Sequence, residues 1–178
     1  MTEAVPSGKQ TRAPQADGET GGSATLDSER AGETHPYEVL ISWSGDGAGA
    51  GELRTASAGI AVSIGGAREL GGRGRGANPE ELLLGAVGAC FVNTWAIFLK
   101  KLGVTYAEPS LRVTGELEND PAGGYRMRRA TIHPRVPSSL LVEKRDEIAK
   151  TLQLAEKYCI ISKVAKAAMS VDVVVEEV

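Results

Sequence analysis

The stretch NPEELLLGAVGACFVNTWAIFLKK, Asn78 to Lys101, decides the architecture of this chain. Asn78 is a good N-cap, Pro79 suits the first helical position, and Glu81 stands three residues after the cap, as in a capping box. The spacing predicts a helix that runs to about Leu102 and stops at Gly103. From Leu82 to Leu99 it is apolar nearly all round, the pattern of a helix threaded through a protein interior. Its length approaches that of a bilayer span. However, Asn93 and Thr94 interrupt it, and Glu80, Glu81, Lys100 and Lys101 close its ends, so a soluble protein with no membrane partner is expected. The small residues Gly85, Ala86, Gly88 and Ala89 suit close packing, and we expect them to bring the central helices of two subunits together.

On the N-terminal side, Tyr37–Trp43, Glu52–Thr55 and Ile60–Ile64 have strand composition. On the other side, Ser110–Glu118 alternates with period two, Asn119–Gly124 is a turn, and Tyr125–Val136 is a second long strand, so the pair reads as a hairpin. Leu141, Ile148, Leu152 and Ala155 follow helical spacing and predict a helix from about Leu141 to Tyr158. A short helical piece around Ser162–Ala168 and a strand at Val171–Glu177 end the chain. The order is βββ-α-ββ-α-β. Strands and helices do not strictly alternate, which points to an α+β fold with antiparallel sheets.

Residues 1–36 hold only Met1, Val5 and Leu26 as large apolar residues. Such a segment buries too little surface to offset its ordering entropy and reads as a disordered acidic tail ahead of a domain at 37–178. It has neither the apolar run of a secretory signal nor the composition of a transit peptide, so a cytoplasmic location is expected. A formal net charge of −3 offers no electrostatic reason to expect nucleic acid. Two cysteines and two scattered histidines, His35 and His133, do not make a zinc site, and no cofactor is expected.

The cysteines, Cys90 and Cys159, are too far apart for a CxxC unit, and in a reducing compartment both read as thiols. A thiol must ionise to attack. Cys90 lies about three turns into its helix among apolar neighbours, which would raise its pKa, so reactivity calls for a cation from elsewhere in the fold. Arg54, Arg68, Arg73 and Arg75 are the candidates. On composition alone a buried small hydrophobe is the commoner fate of either cysteine. If the fold brings them together, one is able to act as nucleophile and the other to resolve its sulfenic acid.

The glycine-rich run Gly71–Gly76, with Arg73 and Arg75, suggests a phosphate cradle, but it lacks the Gly-Lys-Ser/Thr of a P-loop. A flexible loop or turn with solvated arginines is the plainer reading. Trp43 and Trp95 read as core. His133 reads as a strand residue and His35 as solvated.

Asn78-Pro79-Glu80-Glu81-Leu82 followed by Cys90-Phe91 resembles the first motif of the OsmC/Ohr family, the osmotically inducible and organic hydroperoxide resistance proteins. Glu156-Lys157-Tyr158-Cys159-Ile160-Ile161-Ser162 resembles the second, Cys-Pro-x-Ser, with Ile160 in place of the proline. Arg68-Glu69-Leu70-Gly71-Gly72 resembles the segment before the first motif, and the similarity spans about Tyr37 to Val178.

The resemblance implies an intertwined homodimer with its active sites at the interface. It implies thiol-dependent reduction of organic hydroperoxides, with hydrogen peroxide as a further substrate. Cys90 would be the peroxidatic nucleophile, Cys159 the resolving thiol, Glu80 the active-site glutamate, and Arg54 or Arg68 the arginine. An external dithiol of lipoyl type would regenerate the enzyme. Glu80 and Cys90 stand about 15 Å apart along a straight helix, so we expect a site composed from two chains. Two other classes remain open: a non-catalytic relative that binds an apolar ligand at the dimer interface, and an anion- or nucleotide-binding module built on Arg73 and Arg75.

Overall fold

The computed structural model describes residues 33–178. Nearly all of the expected tail lies outside the described residues. The chain divides into Met1–Tyr37 and Glu38–Val178, and every element below belongs to the second unit.

Three short strands, β1 (Val39–Ser44), β2 (Ala50–Thr55) and β3 (Ala61–Gly65), form an antiparallel sheet in that order. A 3-10 turn at Arg68–Leu70 follows. The loop after it is held by main-chain bonds, Gly72 N–H to the Ala67 carbonyl at 2.8 Å and Ala77 N–H to the Ser63 carbonyl at 2.9 Å. It is therefore a tied turn, one of the two forms expected, and not a flexible loop. Gly76 shows why glycine is needed: its φ is +89°, and a Cβ there would lie 2.4 Å from the Ser63 carbonyl oxygen.

Helix α1 (Pro79–Lys101) has the expected capping box in full. Asn78 Oδ1 accepts from the Glu81 N–H at 2.7 Å, and Glu81 Oε2 accepts from the Asn78 N–H at 3.1 Å. Gly103, at φ +67°, lies just beyond its C-terminal end. Strands β4 (Ser110–Asn119) and β5 (Tyr125–Val136) pair as the antiparallel hairpin, with a register shift between Glu116 and Leu117. The α+β class with antiparallel sheets stands. The C-terminal segment adds a detail that alternation does not reveal: it splits into β6 (Ser170–Val173) and β7 (Glu176–Glu177), and both lie parallel to β5.

The second predicted helix is corrected. It is two pieces, α2 (Ser138–Glu143) and α3 (Arg145–Tyr158), and the short helical piece expected after it is α4 (Ile160–Ala165). The first break is at Lys144, with φ −139° and ψ 40°, and the second at Cys159, with φ −63° and ψ 112°. Neither holds the glycine or proline that marks a helix end in sequence.

Val87, Phe91, Trp95 and Leu99 recur every four residues and form the buried stripe of α1. They pack with Ile132 and Val136 of β5 and with Ile148, Leu152 and Ala155 of α3. Each such side chain contributes about 1.5–3 kcal/mol of burial. The Trp95 indole N–H donates to Thr151 Oγ1 at 3.0 Å, and the Thr151 hydroxyl donates to the Ile148 carbonyl at 2.7 Å, so the polar atoms in the core are satisfied. Helix α1 is long and apolar enough to cross a membrane, yet this stripe is spent on the protein's own core.

Two expectations fail. Trp43 is not core: it stands 45% exposed on β1, and its indole donates to the Asp46 carbonyl at 2.9 Å. Gly88 serves the chain's own hairpin rather than a second central helix, since a Cβ there would lie 2.9 Å from Val113 Cγ2. Gly85, by contrast, has open space around it in the single chain.

Candidate thiol site

Cys90 projects from the middle of α1, and Cys159 sits at the joint between α3 and α4. Helix α1 packs against both α3 and α4, and this brings the two thiols into side-chain contact. Both are free, Cys159 fully buried and Cys90 half-buried.

Their surroundings separate them. At Cys90 burial raises the pKa and is the largest single effect. The Ile161 N–H, the Cys159 thiol, the Ile160 N–H and the Thr94 hydroxyl act against it, and the net shift is downward. Thr94 also lies beside the sulfur. Its one hydroxyl hydrogen is donated to the Cys90 carbonyl at 2.8 Å, which makes it the weakest of these donors to the sulfur. At Cys159 burial again leads and raises the pKa, and the neighbouring Cys90 charge adds to it. Ser162 offsets part of this, with its hydroxyl 3.0 Å and its N–H 3.4 Å from the Cys159 sulfur. The pair is therefore polarised: Cys90 ionises first and Cys159 keeps its proton.

The expected cation is not beside Cys90 within one chain. Arg54 lies on β2 and pairs with Glu52 at 2.6 Å. Arg68 lies in the 3-10 turn, its side chain over Gly74. Neither contributes to the Cys90 shift, and the reading that apolar neighbours leave this thiol high without a cation is corrected: peptide N–H donors lower it. Glu80 is in the first turn of α1, with its Oε2 buried and unpartnered among the described residues. Since α1 is unbroken, Glu80 lies about 15 Å along the axis from Cys90 of the same chain.

Two clefts border these elements. An apolar one of about 480 Å³ lies between α1 and β4, lined in part by Leu84, Val92, Leu111 and Val113. A polar one of about 400 Å³ is lined by Arg73, Arg75, Ser44 and Asp46. Asp46 gives the second a carboxylate of its own, which weakens it as an anion site.

Sequence reading missed the main-chain donors. Ser162, within the quoted second motif, stands three residues after Cys159, the spacing at which a cap residue meets an N–H. The Ile160 N–H had a subtler signal, since a residue other than proline at 160 keeps a donor that proline lacks.

Residues 72–174, more than half of the chain, match the family model described as OsmC-like protein. The chain belongs to the OsmC-like family. This OsmC-like chain is 31% identical over 105 residues to the "Organic hydroperoxide resistance protein-like 1" of Staphylococcus epidermidis, covering 59% of the chain and 73% of that relative. Its fold is that of the Legionella pneumophila organic hydroperoxide resistance protein OsmC, with a TM-score of 0.65 at 20% identity over 80% of this chain and 99% of that one. An OsmC-like protein from Mycoplasma pneumoniae has a TM-score of 0.67 at 17% identity, over 82% of this chain and 99% of that one.

Proposed function

We propose that this OsmC-like chain is a thiol-dependent peroxidase acting on organic hydroperoxides. The observation that carries this reading is the meeting of Cys90 and Cys159 with pKa shifts of opposite sign. The Cys90 thiolate attacks the terminal oxygen of ROOH. The O–O bond breaks, a proton goes to the alkoxide, and ROH leaves. Cys90 is left as sulfenic acid. The Cys159 thiol condenses with it, a disulfide forms and water leaves. An external dithiol, of lipoyl type by family likeness, then reduces the disulfide and is itself oxidised. The apolar side chains of α1 around Cys90, rather than the apolar cleft between α1 and β4, favour an alkyl peroxide over hydrogen peroxide through burial of its chain.

The protein works as a homodimer in the cytoplasm in this reading. Support for the dimer comes from β1, where Val39, Leu40, Ile41 and Trp43 all stand exposed. Glu80 and an arginine, Arg54 or Arg68, reach the thiolate from the second copy, because one unbroken helix separates Glu80 from its own Cys90.

The test is consumption of an alkyl hydroperoxide with dihydrolipoamide as reductant. Cys90→Ser abolishes it. Cys159→Ser allows one equivalent to be consumed and then stalls with Cys90 over-oxidised, as read by mass spectrometry. Peroxide loss unchanged in Cys90→Ser would sink the reading. The same apolar cleft also suits a non-catalytic protein that binds an apolar ligand; that alternative requires binding in both variants and no peroxide consumption by the wild type.

A further inference from the structure

Where α3 gives way to α4, Cys159 is turned inward and its two neighbours outward. Cys159 is fully buried, while Tyr158 is 49% and Ile160 70% exposed. Tyr158 does not stand alone: its ring centroid lies 5.5 Å from that of Phe98 on α1. Three ammonium groups lie over this aromatic pair. Lys101 Nζ is 5.6 Å from the Phe98 centroid, and Lys157 and Lys163 are 5.4 Å and 5.9 Å from that of Tyr158. Each is within the range at which a ring face attracts a cation. None of the three has a carboxylate within salt-bridge distance among the described residues, whereas Lys166 nearby is paired with Glu156 at 2.5 Å.

The whole chain carries a formal net charge of −3, so three uncompensated cations on one spot run against its overall sign. An exposed aromatic pair ringed by charge has the make-up of a protein contact, with anchors at the centre and a polar rim. The sign of the rim selects the partner. An acidic surface is drawn toward these lysines before contact and complements them after it. Position selects the task. The patch includes a residue on each side of Cys159, so a partner seated there lies beside the thiol pair.

We propose that this patch is the docking surface for the reductant, and that the reducing dithiol is carried by an acidic protein segment. The inference rests on the peroxidase reading, which supplies the disulfide to be reduced. One partner thiolate attacks that disulfide, the Cys90–Cys159 bond breaks, and one cysteine leaves and takes up a proton. The partner's second thiol then displaces the other cysteine, and the partner departs as its own disulfide.

The probe is a synthetic peptide with two cysteines flanked by glutamates. It is compared with the same peptide flanked by serines and with dihydrolipoamide. The disulfide of the full-length protein is formed with diamide, without peroxide, and its reduction by each thiol is followed by mass spectrometry. The glutamate peptide is expected to act about tenfold faster than the serine peptide near 0.01 M salt. The advantage should vanish near 1 M, as the screening length falls from about 30 Å to about 3 Å. Lys157→Glu with Lys163→Glu is expected to cancel it, read as the ratio of the peptide rate to the dihydrolipoamide rate. Lys157→Arg with Lys163→Arg is expected to keep it. An advantage that is absent, or that survives salt or charge reversal, overturns the proposal. So does a smaller species in sedimentation velocity for the glutamate variant, which would give the patch to a second copy. Binding to phosphatidylglycerol vesicles that the glutamate peptide fails to displace would give it to a membrane, and overturns it equally. If the wild type consumes no alkyl hydroperoxide, the peroxidase reading fails, and the peptide ratio still decides the docking surface.

Discussion

Burial by itself keeps a thiol protonated, and at Cys90 that effect is outweighed by donors from the turn at 159–161. The sign of the consequence is definite. The reactive form is the deprotonated one, so a lowered pKa places thiolate at lower pH. Alkyl hydroperoxide consumption is expected to rise with pH, about tenfold per pH unit below the Cys90 midpoint. It should level off before an ordinary thiol would be half ionised. A stopped-flow pH profile under single-turnover conditions checks this; a plateau reached only above the ordinary thiol range would contradict the assignment. Cys159, pushed up chiefly by burial, stays protonated through that range and is ready to condense with a sulfenic acid. Of this site the sequence carried the two sulfurs and Ser162. It did not carry the lowered pKa, because the groups that cause it are peptide N–H groups, which every residue but proline possesses.

At the scale of elements, α1 shows why one helix was so legible. Its start depends on Asn78, Pro79 and Glu81, all within four positions, and its inner face repeats every four residues from Val87 to Leu99. The polar contact that anchors it is not local. Thr151 on α3 accepts the Trp95 indole N–H, and both groups are fully buried. Thr151→Val keeps the volume and leaves that N–H unpaired, so we expect a loss of about 1–3 kcal/mol in urea unfolding. A loss within experimental error would mean that the indole finds another acceptor. The segment after β5 was less legible. Residues 142–146 all tolerate a helix, so the break at Lys144 comes from tertiary packing rather than from propensity. The parallel pairing of β6 and β7 with β5 was likewise invisible, since alternation sets the face of a strand and says nothing of its direction.

For the whole molecule, the open question lies in the β1–β3 sheet. Its first strand exposes Ile41 at 63% and Trp43 at 45% on one face, more apolar surface than an edge strand in water carries safely. The proposed second copy accounts for it. Ile41→Glu is expected to shift the protein toward a monomer in sedimentation velocity and to lower peroxide turnover at least tenfold, because Glu80 and the arginine are then supplied from nowhere. A variant that is monomeric and fully active would refute the two-chain site. Trp43 was read as core from its size alone; what covers a large apolar side chain is a property of the assembled surface.

The amino-acid sequence alone determined the order of elements, the central helix with both its ends, and the β4–β5 hairpin, because caps, glycine stops and hydrophobic periods act between near neighbours. It also held the pair of thiols and the family motifs around them. Only the tertiary structure decided that the two thiols lie side by side, that Gly88 is spent on β4, and that the joint at Cys159 is brought up against Cys90. Those outcomes depend on where one helix packs against another, and packing is set by surfaces assembled from distant parts of the chain.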